Sequence, residues 1–171
     1  MESILMQAQA VLGTTAARWQ QLTATVPAEL LTRRPSAGEW SAADCLQHQV
    51  DTEQWVFPVR VKAILAGQDF AAYDPDAEGT VNATQSPAAL AATFAALRAE
   101  GLATLATVTE ADLGRIGRHA ASGQMTMAEL LHVWVGHDLM HLVQAERSLM
   151  QPFILGSGPL RYRFKDHDVQ R

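Results

Sequence analysis

The chain has 171 residues, 48% of them hydrophobic and 18% charged, a balance that excludes a disordered protein and favours one globular domain. Its 13 basic and 18 acidic residues give a formal charge of -5, which is the wrong sign for attraction to a nucleic-acid backbone, so we expect no nucleic-acid partner. The single cysteine, Cys45, excludes an internal disulfide and a multi-cysteine metal site.

The N-terminal sequence gives no indication of export or membrane attachment. MESILMQAQAVLG lacks the basic segment that opens a signal peptide, and no apolar run reaches the roughly 18 residues expected of a membrane span. A lone cysteine also fits a reducing compartment. We therefore expect a cytoplasmic protein with no membrane partner.

Periodic apolar residues predict two helices in the first part of the chain. Helix one covers 2–25 and ends before Pro27, with a stripe formed by Ile4, Ala8, Val11, Thr15, Arg18 or Trp19, and Leu22. Helix two begins after Ser41, a suitable N-cap, and ends at Gly67. Pro58 lies well inside helix two and is expected to kink it or split it into two pieces.

A long connection precedes the third predicted helix. Residues 68–85 have loop composition and are numerous enough to cross from one end of a bundle to the other and to cover a site. Ser86 and Pro87 provide an N-cap and a first-turn proline for helix three, 88–108, whose predicted core positions are Leu90, Phe94, Leu97, Leu102 and Leu105. Gly101 interrupts this helix, since glycine is unfavourable in a helix interior.

The fourth predicted helix follows a polar connection, GRIGRHAASGQM. Thr126 and Glu129 have the T-x-x-E spacing of a capping box and begin helix four, 127–150. Because no two-residue alternation indicates a strand, the predicted class is all-α: a four-helix bundle with one long crossover between helices 2 and 3. We expect the bundle to cover 1–151 and residues 152–171 to form an irregular C-terminal arm.

The stretch VWVGHDLMHLVQ, at 133–144, places polar side chains on an apolar helix. His137 and His141 are about 40° apart around the helix axis and about 6 Å apart along it, so their imidazoles point the same way. Gln144 continues the same face. Buried polar groups are costly unless something satisfies them, and a metal ion held by both histidines is one solution.

His48, on helix two, is the third candidate ligand. Three histidines from two helices leave coordination positions open, as in catalytic metal sites, and imidazole ligands suit zinc or nickel. The alternative is that the H-x-x-x-H spacing arises by chance and forms a hydrogen-bonded core feature. Asp138 stands where a zincin-type protease has its catalytic glutamate, which disfavours that class of enzyme.

The remaining polar and aromatic residues have weaker claims to the site. Cys45, one turn before His48, is a fourth ligand, a reactive thiol or, more commonly, a small buried side chain. Asp51 and Asp138 either accept hydrogen bonds from imidazoles or lie exposed on their helices. The other histidines are expected at the surface or in caps: His119, His132 and His167. The tryptophans are expected to be packing residues: Trp40, Trp55 and Trp134.

Two stretches, GEWSAADCLQHQVDTE and TMAELLHVWVGHDLMHLVQAER, resemble the DinB-like superfamily of four-helix bundles. The specific elements are Trp40 and Ser41, His48 on the helix that they open, and the H-D-x-x-H-x-x-Q block. The resemblance covers roughly 15–150 and implies an up-down-down-up bundle that forms a homodimer. It also implies a divalent metal, nickel or zinc, held by His48, His137 and His141.

The resemblance implies a metal-dependent thiol S-transferase, a hydrolase or a related detoxification enzyme. In some members of the superfamily, a low-molecular-weight thiol such as bacillithiol or mycothiol is the co-substrate, and a metal lowers the thiol's pKa. The alternative is a non-catalytic, stress-related dimeric bundle with a structural or incidental metal. DNA binding is not expected, because the one basic cluster is short: Arg161, Arg163 and Lys165.

Overall fold

The computed structural model describes residues 3–73 and 85–170, and helices dominate this part of the chain. Two short 3-10 segments, Glu110–Asp112 and Gly158–Phe164, accompany the longer elements. The helices and strands are α1 Ile4–Thr25, α2 Ala28–Thr32, α3 Ala42–Trp55, α4 Phe57–Leu65, α5 Pro87–Leu105, β1 Ile116–His119, β2 Gly123–Thr126 and α6 Met127–Gly156. The strands β1 and β2 pair as an antiparallel hairpin.

Two clusters of buried side chains reveal how the long helices run. The first joins the beginnings of α1 and α6 to α4 and the end of α5, through residues such as Leu5, Val61, Leu105 and Leu130. The second joins the end of α1 to the beginnings of α3 and α5 and a later part of α6, through residues such as Trp19, Leu46, Leu90 and Leu142. α1 and α6 are therefore parallel to each other and antiparallel to α3 and α5. The predicted all-α, up-down-down-up four-helix bundle is confirmed.

The long crossover connects α4 with α5, which begins at the opposite end of the bundle. Of the predicted connection at 68–85, residues 74–84 lie outside the described residues. The described part includes Phe70, whose N–H donates to the Arg118 carbonyl at 3.0 Å and whose carbonyl accepts from the Ala120 N–H at 3.2 Å. The start of the crossover is thereby attached to the hairpin.

Reciprocal caps begin the two helices that carry the candidate ligands. Ser41 Oγ accepts a hydrogen bond from the Asp44 N–H at 3.1 Å, and the Asp44 carboxylate accepts one from the Ser41 N–H at 2.9 Å. Thr126 and Glu129 form the same pair of bonds, at 3.2 and 2.8 Å. Each box satisfies two N–H groups that have no partner inside the helix. The predicted first residues of α3 and α6 follow from these caps.

Pro58 splits the predicted second helix into α3 and α4. Val56, between them, has φ -118° and ψ -76°, and Pro58 lies in the first turn of α4, where its missing N–H costs no helical hydrogen bond. The break lets α4 contact both the bundle helices and β1. As a result, α4 forms a wall between the bundle and the hairpin.

The segment predicted to be a polar connection contains the β1–β2 hairpin. Its strands have only four residues each, IGRH and GQMT, which is too short for an alternation to stand out in the sequence. Gly117 lies where β1 approaches the bundle most closely. A Cβ at this position would lie 2.7 Å from Phe70 Cε1 and 2.8 Å from Ile64 Cγ1, so only glycine allows the approach.

Two helices differ in detail from the sequence prediction. The buried stripe of α1 comprises Leu5, Ala8, Leu12, Thr15 and Trp19, so Leu5 and Leu12 replace the predicted Ile4 and Val11, and Arg18 is exposed. α6 continues through Pro152 to Gly156, beyond the predicted end at 150. The tail after it contacts this extension, because Gln151 Nε2 donates to the His167 carbonyl at 3.0 Å.

One helix in the described part of the chain, α5, is long and apolar enough to cross a membrane. It contacts α1 and α3 along the bundle and carries the buried, charged Arg98. The bundle therefore accounts for its apolar composition as that of a core helix.

Candidate metal centre

The structure brings together the three histidines that the sequence singled out. His48 lies on α3, and His137 and His141 lie one turn apart on α6. Their candidate ligand atoms all lie within 4.8 Å of one another. His48 and His141 are each 5% exposed, and His137 is half-buried. Three imidazole nitrogens thus converge at one place between two helices.

Gln144 determines which nitrogen of His141 is free to bind. The Nδ1 atom of His141 lies 2.9 Å from Gln144 Oε1. An amide oxygen only accepts hydrogen bonds, so Nδ1 carries the proton and the lone pair remains on Nε2. Such a partner orients a metal-binding imidazole and increases its basicity. Gln144, which was predicted to share the face of the two histidines, therefore orients His141.

The other two histidines meet through their Nε2 atoms. His48 Nε2 and His137 Nε2 are 3.0 Å apart, which matches the separation of about 3 Å between two nitrogens that each lie about 2.0–2.1 Å from one ion. The buried Nδ1 atoms of both rings have no hydrogen-bond partner among the described residues. Three neutral imidazoles are a donor set that suits zinc or nickel, so these residues fit a divalent ion.

Burial keeps all three imidazoles in the neutral form that binds metals. It is the main cause that lowers the pKa of His48 to about 4 and the pKa of His137 to about 3, with His141 as the next contributor in both cases. The pKa of His141 is also lowered by burial, against an opposing contribution from its hydrogen bond with Gln144. Near neutral pH, protons therefore do not compete for the lone pairs.

These lowered pKa values predict an acid-sensitive metal-free fold. Above about pH 6.5 the histidines are neutral in both the folded and the unfolded state. Between pH 6.5 and about 4 the unfolded chain binds protons that His48 and His137 do not bind, so the free energy of unfolding falls as the pH falls. The slope is about 1.4 kcal/mol per pH unit for each histidine. Urea unfolding at several pH values, on chelated protein, measures it.

His137→Gln is the matched variant for this prediction. The substitution removes one titrating group. The free energy of unfolding of the variant should therefore fall less steeply between pH 6 and 4 than that of the wild type, by about 1.4 kcal/mol per pH unit. Equal slopes in the two proteins would contradict the lowered pKa of His137.

A cavity of about 340 Å³ lies beside the histidines. The Trp40 ring stacks on His141, with centroids 5.8 Å apart and planes at 18°, and Phe57 meets the edge of His137 at 5.1 Å. Arg60 is the only charged side chain, and no Asp or Glu is present, among the described residues that line this cavity. Its uncharged lining also includes Thr52, Val56, Tyr73, Val133 and Met140.

A buried ion network connects α3, α5 and α6 close to the ligand positions. The Nε and Nη2 atoms of Arg98 each donate to one oxygen of Glu53 at 2.9 Å. Its Nη1 and Nη2 atoms each donate to one oxygen of Asp138 at 2.8 Å. Nη1 also contacts the Leu12 carbonyl and the Thr15 hydroxyl of α1, at 3.0 and 2.6 Å. One guanidinium therefore links all four long helices.

The charges of this network depend on one another. Burial raises the pKa of Glu53, and the hydrogen bond from Arg98 opposes this effect. Burial alone would lower the pKa of Arg98, but hydrogen bonds and charges from Asp138 and Glu53 outweigh it and raise the pKa above its ordinary value. The guanidinium therefore stays charged in the core.

Two further hydrogen bonds attach α6 to α3 on either side of His137. Gln49 Nε2 donates to the Asp138 carbonyl at 2.8 Å, and the indole N–H of Trp134 donates to Glu53 Oε2 at 3.2 Å. Together with Arg98, these bonds determine the position of the α6 turn that carries His137. The candidate metal centre therefore rests on a polar network that all four helices share.

The network explains why Gly101 lies in the middle of α5. A Cβ at this position would collide with the Glu53 carboxylate. We expect Gly101→Ala to lower the free energy of unfolding by about 1 to 3 kcal/mol, although alanine is the better helix former. Gly13→Ala in α1 is the control, because apart from the adjacent backbone of α1 nothing lies within 4 Å of its Cβ position, and this change should stabilise by up to about 1 kcal/mol. Equal effects in urea unfolding would contradict the collision.

The structure corrects the prediction for Asp138 and shows the environment of Asp51. Asp138 was expected to lie exposed or to hold an imidazole, but it is 2% exposed and binds Arg98 instead. Helix periodicity could not reveal this partner, because Arg98 belongs to another helix. Asp51 is half-buried and accepts a hydrogen bond from Gln47 Nε2 at 2.9 Å.

Cys45 is buried, whereas Trp55 is exposed. Cys45 lies fully buried in the second core cluster, outside the histidine group, and burial is the main cause that raises its pKa to about 12. The thiol is therefore a small core side chain and not a reactive nucleophile. Trp55, expected to be a packing residue, is 61% exposed. Trp134 is fully buried, as expected.

The remaining histidines lie outside the group formed by His48, His137 and His141. His132 and His167 are exposed, in agreement with the prediction. His119 is half-buried in β1, and its Nδ1 accepts the Ala121 and Ser122 N–H groups at 3.2 and 3.0 Å, which makes it a capping residue of the hairpin turn.

Sequence reasoning missed Glu53, Arg60 and Arg98. Arg98 follows Phe94 by four residues on the buried stripe of α5, and Glu53 follows Gln49 by four on the buried face of α3. A charged residue within an apolar stripe is the pattern that could have identified both, since such a charge needs a buried partner. Arg60 fits the same pattern, since it lies four residues after Val56 and four before Ile64, both of which are buried.

Comparison with known proteins agrees with the family resemblance and with the fold. The DinB superfamily model matches residues 12–145. Among solved structures, YfiT from Bacillus subtilis is similar, with 20% sequence identity, a TM-score of 0.74 and 87% of each chain covered. That protein is described as a probable metal-dependent hydrolase with an unusual four-helix bundle topology. At this identity the likeness demonstrates the fold. No curated protein sequence matches the chain significantly.

Proposed function

The chain belongs to the DinB superfamily, and we propose that it is a divalent-metal-dependent enzyme that transfers a low-molecular-weight thiol to a small electrophile. The observation that carries the proposal is the convergence of three neutral imidazoles beside an open cavity. When bound, a divalent ion favours the thiolate form of a thiol near neutral pH. A bundle that used its histidines only for packing would not need such an opening.

Each group at the site has a separate task in this proposal. His48, His137 and His141 hold the ion, and Gln144 orients His141 through Nδ1. Trp40 covers one side of His141 and restricts access of water. The other apolar walls hold the body of the substrate, namely Phe57, Tyr73, Val133 and Met140.

The lining favours a thiol over water as the nucleophile. A zincin-type hydrolase activates water with a glutamate as general base, but no carboxylate lines this cavity within the described residues. A thiol, with a pKa of about 8.5, needs less assistance to lose its proton. In the transfer, a sulfur–carbon bond forms while the bond to the leaving group breaks. The leaving group departs with the electron pair, and the thiol proton passes to solvent.

The proposal also includes a cofactor, partners and a location for the protein. The metal is nickel or zinc, and the co-substrate is a thiol such as bacillithiol or mycothiol. The substrate is a small molecule, and the protein acts in the cytoplasm as a homodimer, without nucleic-acid or membrane partners. The description of YfiT as a probable metal-dependent hydrolase makes metal-dependent hydrolysis the second candidate.

The test compares thiol transfer with hydrolysis in one series. Zinc- and nickel-loaded protein is incubated with an aryl halide or an epoxide in the presence of bacillithiol, mycothiol or cysteine, and in parallel with aryl esters and amides. We expect metal-dependent formation of the thioether, lost in His141→Ala and retained in His132→Ala. Turnover of esters or amides without thiol would favour hydrolysis. Metal binding without turnover of any of these compounds would favour a non-catalytic bundle.

A further inference from the structure

Arg60 is a buried cation at the border of two cavities. It lies on α4 and is 9% exposed. It lines the 340 Å³ cavity with the three histidines and also a neighbouring cavity of about 480 Å³. Its guanidinium lies over the Phe70 ring, 5.4 Å from the centroid. No carboxylate pairs with it among the described residues, although buried charges are normally paired.

Among the described residues, the contacts of Arg60 leave most of its hydrogen-bonding capacity unused. Nη2 donates to the Ala71 carbonyl at 3.3 Å and lies 3.3 Å from His119 Nε2. His119 Nδ1 accepts two backbone N–H groups, so a neutral His119 carries its proton on Nε2. The contact between Arg60 and His119 therefore joins two donors. Within the described part of the chain, one carbonyl is then the acceptor available to a group with five N–H donors.

We propose that Arg60 binds an oxyanion, a carboxylate or a phosphate, carried by the substrate of the histidine cavity. Its planar guanidinium suits both groups, because two parallel N–H donors match two oxygens. The neighbouring cavity contains Asp51, which repels an anion, whereas the described lining of the histidine cavity contains no carboxylate. The oxyanion therefore approaches from the histidine side.

This inference rests on the proposed function and narrows its substrate class. The apolar walls of the cavity, with Trp40, Phe57 and Tyr73, suit an aromatic or aliphatic body. Arg60 at the border then selects molecules that carry one anionic end. The substrate is thus a small amphipathic acid, whose anion lies against α4 while its apolar part lies beside the histidines.

Binding of simple acids tests the proposal without turnover. Chelated full-length protein is titrated by NMR or calorimetry with phenylacetate, phenyl phosphate and the neutral phenylacetamide. We expect at least one anion to bind about tenfold or more tightly than the amide. Arg60→Met should weaken that binding about tenfold or more, and Arg60→Lys should weaken it less, because lysine keeps the charge but loses the fork. Arg118→Met, at an exposed position of β1, is the control and should change nothing.

The possible results separate this inference from the proposed function. Binding of phenylacetate alone would identify a carboxylate site, and binding of phenyl phosphate alone a phosphate site. Equal binding of the amide, or unchanged anion affinity in Arg60→Met and Arg60→Lys, would overturn the inference. Because the protein is metal-free and no product is measured, none of these results depends on whether the enzyme transfers a thiol.

Discussion

Replacement of Arg98 by methionine is expected to destabilise the fold by about 3 to 5 kcal/mol at pH 7, because it leaves a buried, unpaired charge. The two carboxylates that Arg98 binds, Glu53 and Asp138, are almost fully buried, and no other cation pairs with either of them among the described residues. Without the guanidinium they would repel each other, and the bonds to the Leu12 carbonyl and Thr15 would also be lost. Urea unfolding of wild type and variant measures the difference.

The pH dependence of this loss distinguishes a charge effect from a packing effect. In Arg98→Met the pKa of Glu53, already raised by burial, should rise further, so the folded state binds a proton that the unfolded state lacks. The stability deficit should therefore shrink as the pH falls from 7 to 5. Arg115→Met, which breaks the surface pair with Asp112, is the control and should have little effect. A deficit below about 1 kcal/mol would contradict the role of the network.

Loss of a single ligand is expected to weaken zinc or nickel binding by about 100-fold or more, since each ligand of a four-coordinate ion contributes about 3 kcal/mol. His141→Ala is the clearest variant, because the ring is buried and its Nδ1 hydrogen bond leaves Nε2 free to bind. Gln144→Leu keeps the imidazole but removes its orienting partner, so its affinity should fall about tenfold. Competition with a fluorescent zinc chelator measures both values.

The test is whether His141→Ala weakens metal binding more than Gln144→Leu does. A greater loss in Gln144→Leu than in His141→Ala would mean that the ion binds elsewhere. Unchanged affinity in both would remove His141 from the site.

Much of the fold could be predicted because local residues determine it. Ser41, Ser86 and Thr126 act through neighbours three residues away, and Pro58 breaks the helix in which it stands. Such effects can be read directly from the sequence. The hairpin could not be predicted in this way, because β1 and β2 are short and polar, and Gly117 has meaning only beside Phe70 and Ile64.

The candidate site likewise has a part that could be predicted from local sequence and a part that could not. His137 and His141 are related by one helical turn, so their shared face follows from spacing alone. The partner of His48 lies on another helix, and the pairing was inferred from residue type and family resemblance. Arg98 and Arg60 depend on contacts between distant segments, such as Arg98 with Asp138 and Arg60 with Ala71. Periodicity within one helix contains no information about such contacts.

The most direct test of the metal centre is elemental analysis of untagged protein, purified without chelators, for wild type, His137→Ala and His132→Ala. His132 lies exposed on the same helix and serves as the control for loss of a histidine. We expect about one nickel or zinc per chain in wild type and His132→Ala, and none in His137→Ala. Equal metal content in all three proteins, or no metal in wild type even after growth with added nickel and zinc, would contradict the account.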